Sequence, residues 1–268
     1  MHTRTIAALA ATSLSTAAHA QIHEGDIALG VNEGVLTLGV ATDGFGAITQ
    51  QQCLFGVALG SQARTTDPGF DSDTGTFAAG TDLAYFMRAA LRKWNGSDFS
   101  AIPAERVRIS FGPAPGISTP LADPAEPLEG VFVGTSGGEW HTHYAFRLEL
   151  GGVPATGAGS FGVYLLELEL RADSAAYAPS APFWLVISQQ AAQAELDAAF
   201  AFAQSNFSCP APPVCRADTN GDGLVSPADF SAWIAAFNTR SPACDQNGDN
   251  NCSPADFSAW IANFNNGC

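Results

Sequence analysis

The chain has 268 residues, of which 46% are hydrophobic and 14% are charged, and its formal net charge is −15. The composition is that of a globular protein rather than a disordered chain, and the length fits one domain with a smaller unit attached. Because so acidic a surface repels nucleic acid and anionic lipid, we expect no nucleic-acid partner.

The first twenty residues have the features of a secretory signal peptide. Arg4 supplies positive charge, residues 6–18 form a short apolar stretch, and residues 18–20 (Ala-His-Ala) fit the small-x-small cleavage pattern. No later segment approaches the roughly 20 apolar residues that a transmembrane helix needs. We therefore expect a secreted monomer, extracellular or at the cell surface, with no membrane insertion.

Residues 21–208 are predicted to form an antiparallel β-sandwich, because short strand-like runs alternate with glycine and proline. Residues 32–34 (Asn-Glu-Gly) are a hairpin signal between the first two runs. Residues 83–94 keep the apolar period of a helix among strand-like neighbours, and their structure is left open. The expected elements are strands at 27–31, 35–40, 106–111, 141–150, 161–171 and 183–188, and one late helix at 190–204 with an apolar stripe of Leu196, Ala199, Phe200 and Ala203.

A His-x-His pair lies in this domain. On a strand, His141 and His143 project from the same face, and this spacing is familiar for metal ligands. His23 follows the signal peptide, with Glu24 and Asp26 beside it. We expect the three histidines and a carboxylate to form a zinc or copper site. The alternative is a pair of surface histidines on a polar strand face.

Glu167 and Glu169 also share a strand face, where they could act as a carboxylate pair in glycoside hydrolysis. Adjacent carboxylates on one strand do not flank a bond as a glycosidase pair must. We therefore favour the alternative, a solvated edge face shared with Arg171. The sequence contains no phosphate-binding loop and no His-Glu-x-x-His. We expect no enzyme and no catalytic residues.

Residues 209–215 form a short, stiff linker, because proline fixes φ and removes backbone donors. The chain contains six cysteines, which fit an exported protein in which disulfides form. Spacing alone does not choose among the pairings, and one or two cysteines could stay free. The pairing that we expect is Cys215–Cys268, Cys244–Cys252 and Cys53–Cys209.

Residues 216–268 contain an internal repeat. Residues 226–238 recur as residues 253–265 with one difference, Ala236 against Asn263. The first four residues of each copy are the last four positions of a 12-residue loop. Each loop has residues that can offer an oxygen at the EF-hand positions 1, 3, 5, 7, 9 and 12, so we expect two calcium ions. The alternative is an acidic, asparagine-rich linker. The predicted ligands are Asp218, Asn220, Asp222, Leu224 (carbonyl), Ser226 and Asp229, then Asp245, Asn247, Asp249, Asn251 (carbonyl), Ser253 and Asp256.

The second loop differs at position 6, where Asn250 replaces the glycine of the first loop. Asparagine tolerates the left-handed conformation best after glycine, so we expect weaker calcium binding there but not its loss. Each loop leads into a helix, with serine as cap and proline at the first position. Two apolar faces are predicted to pack together: Phe230, Trp233, Ile234 and Phe237, and Phe257, Trp260, Ile261 and Phe264.

Two such loop-helix repeats (F-hands), with no helix entering the first loop, resemble the type I dockerin family over residues 215–268. The resemblance implies two calcium ions and docking onto a cohesin domain of a scaffold or surface protein. The family's partner contacts at loop positions 10 and 11, commonly Ser-Thr, are Pro-Ala at 227–228 and 254–255. This departure argues against a standard cohesin and leaves a cohesin-like or cell-envelope protein as the expected partner.

Segments 67–73, 90–95, 140–143, 164–170 and 181–185 give residues 22–204 a looser resemblance to exported bacterial β proteins. Relatives in that family carry surface-sorting tails, and some are repressed by the zinc-uptake regulator. The resemblance implies a secreted, zinc-linked binding protein and no enzyme.

The sequence as a whole predicts a secreted, non-enzymatic binding or structural protein. Its calcium-binding tether would serve extracellular assembly or surface attachment, and its main domain would bind zinc. One alternative is a component of polysaccharide degradation, either a carbohydrate-binding module or a glycoside hydrolase accessory docked through the dockerin-like unit. Another is a purely structural protein in which calcium holds the C-terminus and nothing else is bound.

Overall fold

The computed structural model describes residues 25–32, 34–41, 48–207, 216–220 and 225–266. In this part of the chain the protein is mainly β, with three sheets and three α-helices. The strands are β1 (Ile27–Asn32), β2 (Val35–Val40), β3 (Gln50–Gln51), β4 (Leu54–Leu59), β5 (Arg64–Thr65), β6 (Phe70–Asp71), β7 (Asp82–Met87), β8 (Arg92–Lys93), β9 (Arg106–Ser110), β10 (Ile117–Ser118), β11 (Leu128–Glu129), β12 (Val133–Gly134), β13 (Ala145–Leu150), β14 (Val153–Pro154), β15 (Gly162–Ala172) and β16 (Phe183–Gln189). The helices are α1 (Gln193–Asn206), α2 (Pro227–Thr239) and α3 (Pro254–Asn266).

The first sheet has the order β3-β2-β1-β6. Its β1–β2 hairpin pairs Asn32 with Val35, which confirms the predicted hairpin, and Gly34 has the positive φ of 79° that such a turn needs. The edge strand β6 runs parallel to β1, with Ile27 opposite Phe70. This pairing brings the residues just before β1 next to residues 69–71.

The other two sheets carry most of the remaining strands. One has the order β10-β9-β13-β14, with β5 beside β13; the other has the order β11-β7-β15-β16-β4, with β12 beside β7 and β8 beside β15. Most pairs are antiparallel, but β4 runs parallel to β16 as β6 does to β1. The prediction of purely antiparallel pairing was therefore wrong for these two strands, because neither is joined to its neighbour by a tight turn.

One hydrophobic core receives side chains from all three sheets, including Leu29 and Phe146, and from the long strand β15, including Leu166. A second cluster lies where α1 packs on the outer face of β15 and β16. Leu196, Ala199 and Ala203 are buried there, as the helical stripe predicted, and Phe200 packs at the margin. Residues 83–94, left open from the sequence, form β7 and β8 rather than a helix.

The strand predicted at 141–150 is shorter than expected and begins at Ala145. Before it, Thr142 makes only an isolated bridge with Phe70, through backbone hydrogen bonds of 2.8 and 2.9 Å. Continuous pairing with β9 starts at Ala145, because β9 ends opposite that residue at Ser110. His141 and His143 therefore lie in a loop, outside the strand.

In the C-terminal part, α2 begins at Pro227 after Ser226, as predicted. The Ser226 hydroxyl accepts a hydrogen bond from the Ala228 N–H, and the Asp229 carboxylate accepts one from the Ser226 N–H, which makes a capping box. The aromatic rings of α2 and α3 meet as predicted, whereas Ile234 and Ile261, which were expected on the same packed faces, are each 41% exposed. The ring centroids of Phe230 and Trp260 are 5.1 Å apart.

Cys244 and Cys252 form the predicted disulfide, with their Cα atoms 5.6 Å apart. Cys53 is also disulfide-bonded. Its expected partner Cys209, the expected pair Cys215–Cys268 and the signal peptide all lie outside the described residues. Within the described ranges, no helix combines the length and apolar character needed to cross a membrane.

Candidate functional site

The second predicted calcium loop gathers three carboxylates before α3. Ligand oxygens of Asp245, Asp249 and Asp256 all lie within 4.8 Å of one another. Calcium–oxygen distances of about 2.3–2.6 Å place oxygens on opposite sides of one ion up to about 5 Å apart. The loop therefore fits calcium in the type and the spacing of its ligands.

Backbone hydrogen bonds shape this loop around its first aspartate. The Oδ1 atom of Asp245 accepts from the Gly248 N–H at 2.7 Å, and its Oδ2 atom accepts from the Asn250 N–H at 2.8 Å. Asn250 has a φ of 61°, the left-handed conformation expected at position 6 of the loop. Asparagine thus takes the left-handed conformation at position 6, where the first loop has glycine.

Asp256 closes the loop from the first turn of α3. It is fully buried and accepts hydrogen bonds from the backbone N–H groups of Gln246, Asn247 and Ser253, at 2.9, 3.2 and 2.7 Å. Burial disfavours the charged carboxylate, but these hydrogen bonds outweigh it and hold the pKa of Asp256 below its usual value. The group is therefore ionised near neutral pH, as a calcium ligand must be.

The first loop has the same closing arrangement. Asp229 is fully buried and accepts from the N–H groups of Asn220 and Ser226, at 3.1 and 2.8 Å. Against the effect of burial, these bonds lower the pKa of Asp229 as well. Asp218 and Asn220 lie in the described part, whereas the predicted ligands Asp222 and Leu224 fall outside it.

Two tryptophans link the repeats in a way that the sequence did not reveal. The Trp233 indole N–H on α2 donates to the carbonyl of Cys244, just before the second loop, at 3.1 Å. The equivalent Trp260 on α3 donates to the Thr219 hydroxyl in the first loop, at 3.2 Å. Each helix therefore supports the loop of the other repeat. The sequence signal that could have indicated these contacts is the tryptophan at the same place in both copies of the repeat.

The main domain holds a second candidate metal group, formed by Asp26, His141 and His143. One ligand atom from each lies within 4.8 Å of the others. The Asp26 Oδ2 atom is 3.4 Å from Nε2 of His143 and 3.9 Å from Nδ1 of His141. The structure thus keeps the predicted histidine pair together, although in a loop, with their ring centroids 5.1 Å apart.

The predicted third histidine, His23, falls outside the described residues. In the described part, Asp26 lies beside both histidines, whereas Asp71 lies beside His141 and Asp67 beside His143. Sequence reasoning noted Asp26 only as a neighbour of His23. The pairing of β1 with β6 brings it there: the Ile27 N–H donates to the Gly69 carbonyl, and the Gly69 N–H donates to Oδ1 of Asp26.

The predicted carboxylate pair, Glu167 and Glu169, forms ion pairs with arginine side chains. Arg88 bonds both Glu167 and Glu169, and Arg171 also pairs with Glu169. The pKa of Arg88 is raised, mainly by its hydrogen bond to Glu169, so the guanidinium group stays positively charged. Glu169 is buried, and β15 lies between β7 and β16. The expected edge position was therefore wrong, because β15 is an inner strand. Arg171 shares the face as expected, and only Glu169 is buried, whereas the side chains of Arg88, Glu167 and Arg171 are 35%, 29% and 35% exposed.

Residues 134–138 (Gly-Thr-Ser-Gly-Gly) match the Gly-x-Ser-x-Gly pattern of a hydrolase nucleophile, a motif that sequence reasoning missed. In hydrolases this serine sits on a turn between a strand and a helix. Here Ser136 is exposed in a tight turn closed by two backbone hydrogen bonds with Glu139. The structural context of a nucleophile is therefore missing at this serine.

No family model matches the chain, and no curated protein matches it significantly.

Proposed function

We propose that this is a secreted, non-enzymatic binding or structural protein, held in place by a calcium-loaded C-terminal tether. In this proposal residues 21–208 form a β-sandwich, and residues 216–268 form a dockerin-like module of two calcium loop-helix repeats. The observation that carries it is the convergence of Asp245, Asp249 and Asp256 on one point at the start of α3.

Two calcium ions are proposed because both loops close in the same way. Asp229 and Asp256 occupy the same loop position, are both fully buried, and each accept backbone hydrogen bonds from their own loop. A buried carboxylate in a chain with a net charge of −15 is stabilised further by a bound cation. Calcium would therefore hold the two loops in the closed arrangement.

The proposed partner is a cohesin-like or cell-envelope protein, bound outside the cell. The faces of α2 and α3 leave Ile234, Phe257 and Ile261 each 41% exposed, which gives the module apolar surface beyond its own core. Proline and alanine at loop positions 10 and 11 offer a partner shape and apolar contact rather than hydroxyl groups. A standard cohesin interface is therefore not the expected one.

The first test is the calcium content of the tag-free mature chain after dialysis against trace calcium, measured by elemental analysis. We expect about two calcium ions per chain, and one each for Asp218→Ala and Asp245→Ala. Glu126→Gln, which removes an exposed carboxylate of the main domain, is the matched control and should retain both. Calcium content unchanged by either loop variant would contradict the proposal.

The tether function needs a second measurement. Retention of the whole chain on a cell-envelope fraction should depend on calcium and disappear for the variant lacking both Asp218 and Asp245. The alternative outcome is that the chain is retained on immobilised polysaccharides instead, and that the variant lacking both aspartates is retained as well. The main domain would then be a carbohydrate-binding module, and the tether proposal would fail.

A further inference from the structure

We infer that Asp26, His141 and His143 form a site for one divalent transition-metal ion of the zinc class, in which Asp26 is the carboxylate ligand. This site is separate from the proposed calcium tether, because its ligands come from two segments of the main domain, one with Asp26 and one with the two histidines. Two imidazoles and a carboxylate suit zinc, whereas calcium prefers oxygen ligands alone.

The spacing of the ligand atoms fits such an ion. Zinc lies about 2.0–2.2 Å from nitrogen and oxygen ligands, so two ligands of a tetrahedral ion are roughly 3.4 Å apart. The Asp26 Oδ2 atom is 3.4 Å from Nε2 of His143. The Nδ1 atom of His141 is 3.9 Å from the same oxygen, but Asp71 already lies 3.1 Å from that nitrogen. The His141 ring must therefore turn to bring its Nε2 atom to the ion.

Hydrogen bonds hold His143 and Asp26 so that one ligand atom of each remains for the metal. The Nδ1 atom of His143 is 3.0 Å from the Thr66 carbonyl, which can only accept, so this nitrogen carries the proton and Nε2 is left for the metal. Asp26 uses Oδ1 for the Gly69 N–H at 3.0 Å, which leaves Oδ2 at the site. Buried Asp71 lies 3.1 Å from Nδ1 of His141, so it accepts a hydrogen bond from that nitrogen, orients the ring and leaves Nε2 for the metal.

The chain also makes room for the imidazole of His143. A Cβ atom added at Gly69 would lie 2.6 Å from Cε1 of His143, so only glycine lets the ring approach this closely. The side chains of His141 and His143 are 47% and 37% exposed, whereas that of Asp26 is 11% exposed. The site is therefore accessible from one side, where water can complete the coordination.

The test is zinc retention by the tag-free mature chain in excess calcium, which keeps the C-terminal loops filled. After dialysis against micromolar zinc we expect about one zinc per chain. Asp26→Asn and His143→Ala should each lose it, and Asp71→Asn should weaken binding roughly 10- to 100-fold, as for other groups that orient a metal ligand. Cobalt substitution should give a visible absorption band that Asp26→Asn abolishes.

Asp67→Asn is the matched control. Asp67 is a carboxylate 3.7 Å from Nδ1 of His143, the nitrogen already bound to Thr66, and it is 79% exposed. We expect this variant to keep its zinc. Circular dichroism of each zinc-free variant shows that lost binding is not lost folding. The inference is overturned if the wild-type chain binds no zinc, or if Asp26→Asn retains as much zinc as the wild-type chain. Either result would mean that the three side chains form only a hydrogen-bonded ion cluster.

Discussion

Asn250 allows a quantitative test of the second calcium loop. Its φ of 61° is a conformation that costs a non-glycine residue about 1–2 kcal/mol, with asparagine at the low end. Its side chain is exposed, and its contact with Asp245 is made by the backbone N–H, which any substitution except proline keeps. Replacement of Asn250 therefore changes the backbone preference and removes little packing.

We expect calcium affinity at this loop to follow the order glycine, asparagine, alanine. Because 1.4 kcal/mol is a factor of ten, Asn250→Ala should weaken binding by about fivefold and Asn250→Gly should strengthen it by about twofold. Asn251→Gly is the control. Asn251 has no positive φ, so glycine there adds only conformational entropy and should not strengthen binding.

The assay is calorimetric titration of calcium into each variant, with the first loop silenced by Asp218→Ala so that one binding event remains. Thermal unfolding in chelator separates an effect on the empty loop from an effect on binding. Equal affinities for the alanine and asparagine chains would refute the reasoning, because the calcium-bound loop would then not use the left-handed turn at position 6.

Three further changes test other contacts. Gly69→Ala must displace the His143 ring, so zinc affinity should fall at least about tenfold in a zinc titration while calcium content stays unchanged; unchanged zinc affinity would contradict the close approach. Trp260→Phe removes the indole donor to Thr219 and should lower the free energy of unfolding of the calcium-loaded C-terminal unit by about 1 kcal/mol in urea; no change would show that this bond is not made in solution. Replacement of both Cys244 and Cys252 by serine opens a cross-link over a sequence separation of 8 and should cost roughly 2–3 kcal/mol in the same assay; a smaller loss than that of Trp260→Phe would argue against this role for the disulfide.

The elements that the sequence predicted well are those specified by neighbouring residues. The first hairpin, the stripe of α1 and the capped starts of α2 and α3 depend on residues only a few positions apart. The structure of residues 83–94 stayed open from the sequence, because a strand in the middle of a sheet depends on distant partners. Nearly all of β7 is buried on both faces, so the strand lacks the polar–apolar alternation of a half-exposed one.

The two candidate sites differ in the same way: one depends on neighbouring residues and the other on contacts between distant segments. The second predicted calcium loop is one continuous segment, and the spacing of its expected ligands was visible in the sequence. The main-domain site joins Asp26 to His141 through the parallel pairing of β1 with β6, a contact between distant segments that no local pattern encodes. The same holds for Arg88, which neutralises Glu167 and Glu169 from a separate strand end.

The crossed tryptophan bonds limit how the C-terminal unit can have arisen and how it can be divided. Trp233 and Trp260 each satisfy their indole N–H on the other copy, so a single repeat would expose a large aromatic side chain and leave its donor without that acceptor. A single repeat is therefore expected to be incomplete by itself and to need a second copy, on the same or another chain, to supply its indole acceptor. Proteolysis between Thr239 and Cys244 should release no folded half, because each fragment keeps a helix whose indole acceptor lies on the other fragment.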